Sequence, residues 1–156
     1  MKKALNRQKL LLIAFIVAFI DQLSKLFIVN TISNFNGVLL IPYLVQLSFI
    51  KNTGAAFNLF KDLTFLLTLL SISVTIILIS WIWNNHPFTF FKGLGFSFLL
   101  GGTIGNGLDR LRLGYVIDFI ELIPIDFPVF NFADISINLA VLMLIIDMFT
   151  NKGIRK

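Results

Sequence analysis

LLLIAFIVAFIDQLSKLFIV, residues 10–29, decides the fold of this chain. Twenty residues, apolar save for Asp21, Gln22, Ser24 and Lys25, match the roughly 20 needed to cross a bilayer as a helix. Three more apolar runs of similar length follow, at about 63–83, 88–108 and 132–149. In lipid the backbone must satisfy its own hydrogen bonds, so runs of this length are expected to be helices. The expectation is an all-α membrane protein of four transmembrane helices, a single domain over residues 1–156.

Composition agrees. Of 156 residues, 57% are hydrophobic and 13% charged, against about 25% charged in soluble domains. Eighteen phenylalanines exceed what so small a soluble core could bury. The absence of cysteine excludes disulfides, thiolate catalysis and zinc–thiolate sites, and a single histidine, His86, excludes a two-histidine zinc site. The net charge of +5 suggests no nucleic-acid partner, because the basic residues cluster at the ends of apolar runs, where topology and anionic head groups account for them.

Lys2, Lys3, Arg7 and Lys9 precede the first run and resemble the start of a signal peptide, but no small-residue cleavage site follows, so a retained helix is expected. Both termini inside would place Lys2, Lys3, Arg7, Lys9, Lys92, Lys152, Arg155 and Lys156 in the cytoplasm, against Lys51, Lys61, Arg110 and Arg112 outside. Asp62, Asp109, Asp118, Glu121, Asp126 and Asp134 then all fall at the outer face. Of the outer segments, 30–62 contains alternating stretches such as VQLSF at 45–49, expected to form short strands, while 109–131, with Pro124 and Pro128, reads as a loop. The inner connection 84–87 is a tight turn.

Polar residues this sparse in an apolar chain are site candidates. Asp118, in VIDF, and Asp134, in FNFAD, are carboxylates at a membrane edge, costly unless partnered. Brought together, two carboxylates cannot both ionise easily, and the pair can hold one proton and activate water. Alternatively each marks a loop or caps a helix, for which the N-terminal position of Asp134 is suited. Asp21 and Lys25 stand i, i+4 on one face and can pair, either as a functional ion pair or as a neutralised pair with Lys25 snorkelling outward. KNTGAAF at 51–57 offers Asn52 and Gly54, or an ordinary turn. GGTIGNGLDR at 101–110 carries a G-x-x-x-G helix-packing device, then Asn106, Asp109 and Arg110 at i, i+3 and i+4. His86 and Asp147 read as structural.

Together and in order, Asp21-Gln22-x-x-Lys25, Asn52-Thr53-Gly54-Ala55-Ala56-Phe57, Gly101-Gly102-x-x-Gly105-Asn106-x-x-Asp109-Arg110, Val116-Ile117-Asp118-Phe119 and Phe130-Asn131-x-Ala133-Asp134 resemble the bacterial lipoprotein signal peptidases, the type II signal peptidases. The core motifs show no departure. The resemblance implies an aspartic endopeptidase of the cytoplasmic membrane. It would cut prolipoproteins just before a diacylglyceryl-cysteine, without metal or cofactor. It implies Asp118 and Asp134 as the catalytic pair, with Asn52, Gly54, Asn106, Arg110 and Asn131 around the site and Asp21 and Lys25 in the polar motif of the first helix. It also implies a small extracytoplasmic β-cradle and a mobile periplasmic helix. The expected partners are lipidated prolipoproteins and membrane lipids, and the expected state is a monomer. The rival from another class is a small transporter or ion-conducting subunit, against which the one-sided gathering of ionisable residues counts.

Overall fold

The computed structural model describes residues 5–32, 37–54, 59–85 and 87–151. The first helix, α1 (Arg7–Thr31), starts where the Asn6 side chain accepts the Lys9 N–H at 2.9 Å. That cap lets it begin three residues before the apolar run. A hairpin of β1 (Val38–Ile41) and β2 (Val45–Asn52) follows, then α2 (Thr64–Asn84). The third helix, α3 (Phe90–Leu113), ends at Gly114, whose φ of 79° is the left-handed stop that glycine adopts without strain. Strand β3 (Val116–Leu122) and α4 (Phe132–Asn151) complete the described chain.

The expected strands are present and form an antiparallel sheet in the order β1-β2-β3. Residues 109–131 are not the loop the prolines suggested. The run VIDFIEL is β-branched and apolar enough to pair with β2, Ile50 opposite Asp118 and Asn52 opposite Val116, while Pro124 and Pro128 fall beyond it. The third helix also runs five residues past its expected end at 108, which keeps Asp109 and Arg110 on helical backbone.

By length and composition α1, α2 and α4 can cross a membrane, three helices among the described residues and not four. The exception, α3, is long enough but too rich in glycine and polar residues. It is nevertheless the helix against which α1, α2 and α4 all pack. A Cβ built on Gly101 would lie 2.6 Å from the Ala14 carbonyl oxygen of α1, and one on Gly102 would lie 2.6 Å from the Ala133 carbonyl oxygen of α4. Only glycine permits these helix approaches, as small-residue helix faces do in lipid. Elsewhere α1, α2 and α4 turn large apolar side chains outward, among them Phe15, Phe65, Ile77 and Phe149. That surface is unsuited to water and suited to hydrocarbon.

Two apolar clusters bracket the interior along α1. Leu10 and Ala14 pack with Leu78, Ile82, Phe88 and Leu100 at the end of the bundle away from the sheet. At the other end Ile28 and Ile32 pack with Ile117 and Phe119 of β3. Between them lies a buried polar layer that begins with Asp21 and Lys25. Asp147, far from it, accepts a hydrogen bond from Thr89 just before α3, in keeping with a structural role. His86 lies outside the described residues, while Asn85, just before it, ends α2 with its N–H on the Trp81 carbonyl oxygen.

Candidate active site

Lys25 is only 2% exposed and does not snorkel. Its ammonium meets Asp21 Oδ2 at 2.8 Å, Asp109 Oδ2 at 2.9 Å and Asn106 Oδ1 at 3.0 Å, which uses all three of its donors. Asp21 also accepts the backbone N–H of Ala133 at 2.9 Å, fastening α1 to the start of α4. Asp109 also accepts the N–H of Ile117 at 3.2 Å, fastening α3 to β3. A charge buried this deeply costs several kcal/mol unless paired, so the three-way arrangement is what makes Lys25 tolerable in the bundle.

Asn106 passes this layer on to the acids. Its Oδ1 accepts from Lys25 and, at 3.1 Å, from Asn131 Nδ2, and its own Nδ2 donates to Asp134 Oδ1 at 2.8 Å. Asn131 touches both acids. Its Nδ2 donates to Asp118 Oδ1 at 2.6 Å, and its backbone N–H donates to Asp134 Oδ2 at 3.1 Å. In return Asn131 Oδ1 accepts the Asp134 N–H at 3.0 Å, a reciprocal cap that starts α4. Asp134 therefore is a helix cap, and it is also brought to Asp118, 16 positions away in sequence. The two readings of this residue are compatible.

From the other side, Asn52 at the end of β2 donates through Nδ2 to Asp118 Oδ2 at 2.8 Å. Its amide is oriented by the Gly54 N–H, which donates to Asn52 Oδ1 at 2.9 Å. Arg110 Nη2 donates to the Gly54 carbonyl oxygen at 3.0 Å, while its buried Nε has no hydrogen-bond partner among the described residues. Asn52 and Gly54 are thus more than an ordinary turn. Residues 55–58 of the same motif lie outside the described residues.

Burial, and after it the nearby Asp134 carboxylate, push the Asp118 carboxyl up to about 6, against the amides of Asn52 and Asn131 and the charge of Lys25, which favour ionisation. A carboxyl of this kind keeps a proton into the weakly acidic range. A proton-holding acid beside a second carboxylate is suited to acid–base hydrolysis. Among the described residues no three acids or histidines converge as metal ligands.

All ten residues singled out in the sequence, Asp21, Lys25, Asn52, Gly54, Asn106, Asp109, Arg110, Asn131, Asp118 and Asp134, join one hydrogen-bonded assembly. Gln22 belongs to it as well, though no role was assigned to it. Its Nε2 donates to Asp109 Oδ1 at 2.9 Å and to the Gly105 carbonyl oxygen at 3.1 Å. An uncharged amide among apolar residues was the available signal. A second polar group, Gln46, Ser48 and Glu121, lies on the sheet, where Ser48 and Gln46 both donate to Glu121. It is separate from the assembly, and only the alternation in β2 hinted at it.

Known proteins resemble this chain in sequence and in fold. The family model described as signal peptidase (SPase) II matches residues 13–150. A lipoprotein signal peptidase of Parasynechococcus marenigrum is 45% identical over 148 residues, covering 95% of this chain and 93% of that one. One from Streptococcus agalactiae is 33% identical over 142 residues, covering 91% and 92%. A solved bacterial membrane enzyme superposes with a TM-score of 0.88 at 29% identity, covering 100% of this chain and 96% of its own. The transporter reading has no support among these relatives. With nearly the whole chain matched, and the matched span enclosing every residue of the polar assembly, the protein belongs to the signal peptidase II family of membrane proteases, which removes signal peptides from prolipoproteins.

Proposed function

We propose that Asp118 and Asp134 are the catalytic residues, and that they cut the lipidated prolipoprotein immediately before its diacylglyceryl-cysteine. The observation that carries this reading is Asn131, one residue hydrogen-bonded to both carboxylates at 2.6 and 3.1 Å. Asp118, whose carboxyl is pushed up to about 6, holds the shared proton. Asp134, in the first turn of α4 where the helix N-terminus suits an anion, is the base.

In the first step Asp134 takes a proton from water as its oxygen adds to the scissile carbonyl carbon, and Asp118 protonates the carbonyl oxygen. In the second step the C–N bond breaks. Asp134 returns its proton to the departing cysteine nitrogen, and a hydroxyl of the tetrahedral species returns one to Asp118. The products are a signal-peptide carboxyl group and a free amine on the lipidated cysteine. No covalent acyl-enzyme forms. Asn52, Asn106 and Asn131 hold the two carboxyls. Asp21, Lys25 and Asp109 hold the helices and β3 that carry them. Arg110, a cation beside both acids with an unspent Nε–H, binds a backbone carbonyl of the substrate. Gly54 provides close approach next to it.

The same reading makes α3 the fourth transmembrane helix, shielded from lipid by the three apolar ones. It puts the sheet and the acids at the outer face of the cytoplasmic membrane and both termini in the cytoplasm. The enzyme acts as a monomer, and the acyl chains of the substrate lie in the bilayer against the apolar helix faces. Purified enzyme incubated with a diacylglyceryl-modified lipobox peptide should release a signal peptide ending one residue before the cysteine, as read by mass. Equal cleavage of the unlipidated peptide would contradict the substrate assignment.

A further inference from the structure

Of the buried groups in the assembly, Lys25 has no part in the steps just described, yet one residue, Asn106, separates it from Asp134, and Asn106 and Asn131 separate it from Asp118. Asn106 Oδ1 accepts from Lys25 Nζ at 3.0 Å and from Asn131 Nδ2 at 3.1 Å, and Asn106 Nδ2 donates to Asp134 Oδ1 at 2.8 Å. An amide has two distinguishable ends, and an ammonium can only donate. Lys25 therefore requires the carbonyl end of Asn106 to face α1. The NH2 end must then face Asp134, the orientation that stabilises a carboxylate and would be lost on reversal. The charge of Lys25 is itself felt at Asp118, where it favours ionisation.

We infer that Lys25 is a positioning residue for the aspartate pair, acting through Asn106 to hold one of the two acids ionised. The inference rests on the assignment of Asp118 and Asp134 and extends it into the membrane-spanning part of α1. The charged groups around the pair are Lys25 and Asp21 from α1 and Asp109 and Arg110 from α3; β2 contributes the neutral Asn52, and the pair itself comes from β3 and α4. Lys51, also on β2, has its ammonium over the Tyr115 ring, 5.1 Å from the centroid. Lys25 is thus the cation tied to the pair through a hydrogen-bonded amide. Catalysis needs one acid ionised, so activity must fall as pH drops and the second proton binds. A nearby positive charge keeps that acid limb low.

The test compares the pH profile of lipopeptide cleavage in wild type, Asp21→Asn and Asp21→Asn/Lys25→Gln, after melting in detergent has shown each to be folded. The double variant leaves no lysine charge and keeps an amide donor in reach of Asn106. Its acid limb should rise by about one pH unit relative to Asp21→Asn, with kcat reduced and KM unchanged, as expected for loss of a nearby opposite charge. A shared acid limb in the two variants, whatever their activities or melting temperatures, would overturn the inference.

If the double variant does not fold, the wild-type enzyme carries the test. The Asn106 side-chain amide protons should exchange slowly and shift in step with the acid limb, whereas freely rotating protons insensitive to pH would overturn it. Asp118→Asn, assayed alongside, separates the two claims. If it is inactive while the limbs coincide, Lys25 alone is misassigned. If it is active, the catalytic pair is misassigned.

Discussion

Helices α2 and α3 are neighbours of similar length, and they invert the ordinary relation between apolarity and burial. α2 is the most apolar stretch of the chain, and only Leu67, Thr68, Leu78 and Ile82 are buried in it. α3 is interrupted by six glycines and by Asn106, Asp109 and Arg110, and it forms the centre of the bundle. In water the core is apolar because the solvent is polar. In hydrocarbon the solvent offers an apolar face nothing better than it already has, so close packing and hydrogen bonding decide which face turns inward. The polar, glycine-rich helix is consequently the one enclosed, and the polar assembly is built where it meets α1, α4 and β3.

Substitutions along that seam should cost the most. Gly102→Val puts a Cβ 2.6 Å from the Ala133 carbonyl oxygen and 2.8 Å from Ile137 Cγ1, prising α4 and Asp134 from α3. Overpacking of this kind costs about 1–3 kcal/mol, and disturbing the buried Asp21–Lys25–Asp109 group adds about 3–5 kcal/mol. The folded fraction in detergent should collapse, and a normal yield of active enzyme would break the comparison.

Proton occupancy at the same seam comes next in size. Burial and the neighbouring Asp134 raise the Asp118 carboxyl, so its protonated form is favoured by the fold and is lost as pH rises through about 6. If that proton is required, kcat/KM falls about tenfold per pH unit above 6, roughly a hundredfold by pH 8. The kcat profile should hold to higher pH, since a bound lipopeptide desolvates the acid further. A kcat/KM rising from pH 6 to 8 would contradict the assignment of the proton.

Arg110→Gln tests the substrate edge of the seam. It keeps an amide donor near Gly54 and removes the cation and its free Nε–H, so KM should rise about tenfold, the value of one charge-assisted hydrogen bond, with melting little changed. Smallest is Ile76→Ala on the outward face of α2, where the side chain is 58% exposed. It should alter cleavage less than twofold, and a large loss there would show that this face meets protein.

Much of this was legible before the structure. Twenty-residue apolar runs announce helices because lipid leaves the backbone no alternative, and Asp118 and Asp134 are conspicuous because carboxylates there need a reason. What the sequence obscured has physical causes too. The composition of α3 is set by packing against three helices and resembles neither a lipid-facing span nor a soluble helix, so its end at 108 was misplaced. Strand β3 was hidden because its pairing partner β2 lies about 70 residues earlier and because Pro124 and Pro128 suggested a loop. The inward turn of Lys25 depends on Asp109 and Asn106 arriving from another helix, which i, i+4 spacing within α1 cannot reveal.

Replacing Asp118 and Asp134 separately by Asn, and timing release of the signal peptide from a lipidated substrate in detergent by folded protein, tests the catalytic pair most directly. Each variant should lose at least about a thousandfold in rate while binding the lipopeptide as wild type does. Near-normal turnover by either folded variant would show that the two acids do not share the hydrolysis.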